Sequence, residues 1–178
     1  MTPIGEFSHK VTVDPWPEDG VIVELTATAA ECEALRTRFD LADLQSLSAS
    51  VGIEKRMAEL VLAGTIEAVV AQTCVVTLKP VTSSLAVPFE RHYRRRDVHE
   101  KMVAAGEATV ADDEDIDVDI LDGDEIDLGE AVAEEFYLAL DPYPRSADAD
   151  RVMEEIGATG DSGAVDETVN PFEKLRKH

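Results

Sequence analysis

Residues 7–13, FSHKVTV, alternate apolar and polar positions, which predicts a half-buried strand. Pro15 and Pro17 close it, because each removes a ladder donor. Residues 21–25, VIVEL, predict a second strand by their β-branched content. Thr28 stands three residues before Glu31, the spacing of a capping box. Cys32, Leu35 and Phe39 then fall at i, i+3 and i+7 on one helical face, so Cys32 reads as a small core residue. Over residues 57–92 the period drops to two. Residues 60–70 and 71–78 read as strand, either two strands or one long bent one, residues 79–82 as a turn, and residues 85–92 as a returning strand. Pro88 puts that last strand at a sheet edge or on a bulge.

Residues 97–115 read as a loop. Ile116, Val118 and Ile120 alternate with Asp117 and Asp119, predicting a strand with an acidic outer face. Asp127 and Glu130 repeat the cap spacing, so a helix is expected over residues 128–140. Its acids, Glu130, Glu134 and Glu135, lie in its first half, where the macrodipole tolerates them. Residues 146–169, rich in Asp, Ala, Gly, Ser and Thr, are expected to form a mobile linker. In residues 170–178, Asn170 suits an N-cap and Pro171 the first helical position. Phe172 and Leu175 then share one face of a one-turn helix that needs a surface to dock on. Helices and strands do not alternate regularly. The expected fold class is therefore α+β, a mainly antiparallel sheet with two or three helices and a flexible C-terminal tail. The expected division is one domain over residues 1–145, a flexible acidic linker over 146–169 and a short amphipathic motif over 170–178.

Composition sharpens this. Hydrophobic residues are 44% of the 178 but aromatics only 5%, so the core is expected to consist of Val, Leu, Ile and Ala. The formal net charge of −22 is unevenly spread. Residues 1–110 carry −5, residues 111–169 carry −19, and residues 170–178 carry +2. Eleven acidic and no basic residues lie from Asp112 to Glu130. Such a block repels RNA, DNA and anionic membrane over about a Debye length, ~8–10 Å at cellular salt, and attracts basic proteins. No apolar run approaches the ~20 residues of a membrane span, and residues 1–10 lack a signal-peptide pattern. Cys32 and Cys74 do not make a secreted disulfide scaffold. A cytoplasmic protein without a DNA or membrane partner is expected.

Candidate chemistry is sparse. Placing Gly123 at the sixth position of a calcium loop puts Val118 and Ile120 at ligand positions and Gly129 at the twelfth, so an EF-hand is rejected. His9, His92, His99 and His178 share no ligand spacing, and no nucleophile elbow, Walker loop, dinucleotide fingerprint or HExxH occurs. No catalytic residue, metal or cofactor is expected, and the alternative of a divalent-metal-dependent hydrolase rests only on the abundance of carboxylates. Two binding surfaces are candidates. Arg91, Tyr93, Arg94, Arg95, Arg96 and Lys101 suit phosphate clamping and base stacking on RNA, or neutralisation of the chain's own acids. Asp112, Asp113, Glu114, Asp115, Asp117 and Asp119 suit a basic protein, and Phe172 with Leu175 suits a groove, in the same chain or in a partner.

Three segments together resemble the YceD family, linked to accumulation of the large-subunit (23S) ribosomal RNA. They are GTIEAVVAQTCVVTLKPV at residues 64–81 followed by Phe89, EIDLGEAVAEEFYLALDPYP at residues 125–144, and NPF at residues 170–172 with Leu175. The likeness covers roughly residues 55–178. Many relatives carry C-x-R-C in the first segment; here Cys74 is followed by Val75, Val76 and Thr77, so neither the second thiol nor the arginine is present. The resemblance implies a non-catalytic ribosome biogenesis factor whose partner is a basic ribosomal protein, the 23S rRNA precursor particle, or both. The alternative is an acidic adaptor or chaperone for a basic protein unrelated to rRNA.

Overall fold

The computed structural model describes residues 6–13, 15, 20–106 and 118–157. In chain order these form β1 (Lys10–Thr12), β2 (Val21–Thr26), α1 (Ala29–Arg38), β3 (Asp43–Arg56), β4 (Glu59–Thr73) and β5 (Pro80–Arg95). There follow α2 (Arg96–Ala105), β6 (Val118–Leu121), β7 (Glu125–Asp127), α3 (Leu128–Leu138) and α4 (Ala149–Glu155). Strands β2 to β6 line up in chain order as one five-stranded sheet, antiparallel at each pair except the parallel β5–β6. β1 and β7 pair antiparallel in a second, two-stranded sheet. The class is α+β, with four helices among the described residues where two or three were expected. None of those helices is long and apolar enough to cross a membrane.

The pleat explains the layering. Leu47, Ala49, Val51 and Ile53 of β3, Leu60, Leu62, Ile66, Ala68 and Val70 of β4, and Phe89 of β5 bury one face of the sheet. Cys32 and Leu35 of α1 and Leu128, Val132 and Phe136 of α3 join them in a single cluster. Thr65, Glu67, Thr82, Ser84 and Glu90 alternate with them and stay exposed, as expected of an antiparallel sheet solvated on one side. Pro88 sits where β5 has β4 on one side only, since β6 pairs from His92 onward. Its missing N–H therefore costs no ladder bond.

Both cap signals are realised. Thr28 and Glu31 form a complete capping box on α1, and the Asp127 side chain accepts from the Glu130 N–H at the start of α3. Other expectations are corrected. The turn between β4 and β5 is not at residues 79–82 but at 74–79, closed by Cys74 N–H donating to the Lys79 carbonyl at 2.8 Å. Leu78 takes a left-handed φ of 58° there and is exposed, so its apolar identity misled the strand reading. β3 had no counterpart in the pattern, because a register shift between Leu44 and Ser46 breaks its alternation and serines fill its open face. α2 replaces an expected loop. Its N-cap, Arg95, makes no side-chain cap bond, so no start signal marks it, and Gly106 ends it with a left-handed φ of 72°. α4 lies inside the expected linker and buries Ala149. β1 keeps only three of the seven residues expected.

Candidate functional site

The end of β5 carries the arginines, and the strand's period of two divides them. Arg91 and Tyr93 oppose Leu62 and Leu60 and so lie on the helix-covered side, whereas His92 and Arg94 point to the other. Arg91 is 19% exposed. It donates to Asp119 of β6 at 2.6 Å and to Glu134 of α3 at 2.5 Å, with Glu135 at 3.7 Å, and its guanidinium lies 5.6 Å from the Tyr93 ring centre. Burial works against the Arg91 charge, but Glu134 and Asp119 outweigh it and hold its pKa above the ordinary value. Burial, together with these carboxylates and despite Arg91, pushes the Tyr93 phenol up to about 12. Arg91 thus ties β5 to its neighbour β6 and to α3.

The remaining cations are engaged too. Arg96 grips Asp122 with Nε and Nη2, and Arg95 reaches Asp124 at 3.4 Å. Lys101 meets Asp97 one turn earlier on α2 at 3.2 Å. On the opposite face Arg94 pairs with Glu59. His92, 9% exposed, sits between Glu59 at 2.8 Å on Nδ1 and Glu90 at 3.0 Å on Nε2. Every member of the sequence-predicted cationic set that can form an ion pair therefore faces a carboxylate of its own chain. No three His, Cys, Asp or Glu side chains among the described residues are arranged to hold a metal ion.

Of the acidic candidates, Asp119 is brought into this cluster as the partner of Arg91. Asp112, Asp113, Glu114, Asp115 and Asp117 lie outside the described residues, as do Phe172 and Leu175. Chain connectivity nonetheless fixes where the acidic run is attached, between Gly106 at the end of α2 and Val118 at the start of β6. Sequence reading missed Glu59, Asp122, Asp124 and Glu134 as partners of the arginines. The parallel register that sets Tyr93 beside Asp119 is the missing information, and no local motif encodes it.

Cys74 occupies the β4–β5 turn with no exposed surface. Its sulfur accepts from the Ser146 N–H at 3.2 Å, the Thr77 N–H at 3.3 Å and the Ser146 hydroxyl at 3.4 Å. Burial raises the thiol pKa, but the bonds from Ser146 and Thr77 prevail and bring it to about 6. Thr77, standing three residues after Cys74, supplies a hydrogen-bond donor and no second thiol.

The family model described as "Large ribosomal RNA subunit accumulation protein YceD" matches residues 62–177, well over half of the chain. No curated protein and no solved structure matches it. The matched span begins in β4 and takes in the arginine cluster, the acidic run, α3 and α4. The chain belongs to the YceD family.

Proposed function

With membership of the YceD family as premise, we propose that this protein acts by binding, holding a basic protein segment on its acidic surface during assembly of the large ribosomal subunit. The family's description gives the coarse role, accumulation of the large ribosomal RNA, and names no reaction. The observation that carries the reading is the internal use of the cations: Arg91, Arg94, Arg95, Arg96 and Lys101 each face a carboxylate. What remains for a partner is an excess of negative charge, concentrated where residues 107–117 join α2 to β6. A phosphate backbone would have to displace those carboxylates before meeting an arginine. A lysine- and arginine-rich protein segment would meet acids directly and release no internal pair. Held this way, such a protein is shielded until ribosomal RNA takes it over.

The test is capture of purified basic large-subunit ribosomal proteins by the full chain. Changing Asp112, Asp113, Asp115 and Asp117 to asparagine leaves every ion pair described above in place. It is expected to weaken capture by about tenfold or more, with a shallower salt dependence. Unchanged affinity rejects the proposal. A 23S rRNA fragment run in parallel decides the competing mode. Retention that vanishes when Arg91, Arg94, Arg95 and Arg96 become glutamine would assign the contact to RNA.

A further inference from the structure

A groove of roughly 580 Å³ opens between the α1–β3 junction, the end of β4 and the end of α3. Its floor and walls include Leu41, Val75, Tyr137, Leu138 and Pro142, with Phe39 stacked on Tyr137 at 4.9 Å between ring centres. Leu138 is 74% and Tyr137 54% exposed, although they close a helix whose other apolar side chains are buried. The polar lining is one-sided in charge. Asp40 and Asp141 line the groove, and no lysine or arginine does among the described residues. The rim is firmly built, since Val75 N–H donates to the Pro144 carbonyl at 2.9 Å and the Gln72 amide to the Asp141 carbonyl at 2.8 Å. It presents apolar side chains to solvent from a fixed frame.

We infer that residues 170–178 of the same chain occupy this groove, with Phe172 and Leu175 on its apolar lining and Lys174, Arg176 and Lys177 facing Asp40 and Asp141. Three observations converge on that occupant. The segment is the one part of the sequence beyond residue 110 with a basic surplus, three basic residues against one acid. The preceding chain is anchored beside the groove, because Ser146 bonds the Cys74 sulfur and Asp148 pairs with Lys79 at 2.6 Å. Length is sufficient. α4 carries the chain roughly 10 Å from that anchor. A stretch of twelve residues, the number from 158 to 169, has a typical reach of about 20 Å. Such tethering supplies the segment at a local concentration near the millimolar range, so weak contacts suffice.

The experiment compares amide NMR spectra of the full chain with those of its Phe172→Ala, Leu175→Ala double variant. The expected result is shifted resonances for Gln72, Thr73, Val75, Tyr137 and Leu138, unchanged by tenfold dilution. Shifts confined to the tail would overturn the inference. So would shifts that fade on dilution, which would give the groove to the tail of a second copy. Leu138→Glu gives an independent reading, because this exposed side chain can be charged without loss of the fold. Tryptic cleavage at Lys174 and Arg176 is expected to rise about tenfold in that variant, as cleavage follows the undocked population. Equal rates would overturn the inference, and a foreign peptide competing for an already vacant groove would show itself by that result.

Discussion

Both ring nitrogens of His92 face carboxylates, Glu59 at 2.8 Å and Glu90 at 3.0 Å. A neutral imidazole has one N–H, so one contact would set a lone pair against an oxygen anion, whereas the imidazolium satisfies both. Burial opposes that charge, but Glu59 and Glu90 prevail and hold the His92 pKa above its ordinary 6.5. Glu59 is held below its ordinary 4.5: burial raises it, and the bonds from His92 and Arg94 more than offset this. The raised histidine contributes stability that is full below pH 6.5 and is lost as pH rises through its folded pKa. The depressed glutamate contributes stability that is full above pH 4.5 and is lost as pH falls through its folded value. Their joint contribution therefore peaks between those two ordinary values. The urea midpoint of the wild type is expected to decline as pH rises above roughly 6.5. In His92→Gln the decline should be shallower, and identical slopes would show that this site is not the source.

At the scale of elements, the start of α3 is set by a crossing. Asp127 caps the helix through the Glu130 N–H and also accepts from the Ser8 hydroxyl at 2.5 Å and the His9 N–H at 2.8 Å. The segment before β1 thus lies directly over the first helical turn. A Cβ on Gly129 would stand 2.5 Å from the Phe7 carbonyl oxygen and 2.9 Å from the His9 nitrogen, both backbone atoms that cannot rotate away. Gly129→Ala is expected to cost about 1–3 kcal/mol, the usual penalty of overpacking. A thermal midpoint equal to the wild type would show that the crossing is loose. The glycine's role was not legible, because its neighbour lies about 120 residues away in sequence. The caps at Thr28 and Asp127 were legible, since each signal is complete within four residues. The same distinction governs the site: the run Arg91 to Arg96 announced a cationic cluster, but the carboxylates its arginines meet lie 26 to 44 positions away. β3 and α2 escaped for a local reason, one by its broken alternation and the other by its uncapped start.

Across the whole molecule, 38 acidic side chains face 16 basic ones. The cations are largely committed to contacts of a few ångströms, so the surplus acids repel one another over the breadth of the protein. A chain of this length folds to a radius of gyration of roughly 16 Å. At ~10 mM salt the Debye length is about 30 Å and the repulsion spans the molecule; at ~150 mM it is about 8 Å, and only near pairs still interact. Screening therefore removes long-range repulsion more effectively than it weakens contacts such as Arg91–Asp119 at 2.6 Å, which is partly buried. The thermal midpoint of the free protein is expected to rise across this salt range. Capture of a basic partner depends on attraction between exposed charges, so the same change should weaken it. Opposite signs for the two salt dependences distinguish a protein whose acidic excess is reserved for a partner from one whose charges are balanced internally. A midpoint that falls with salt would mean that the ion pairs outweigh the repulsion, and the electrostatic basis of the binding role would fail with it.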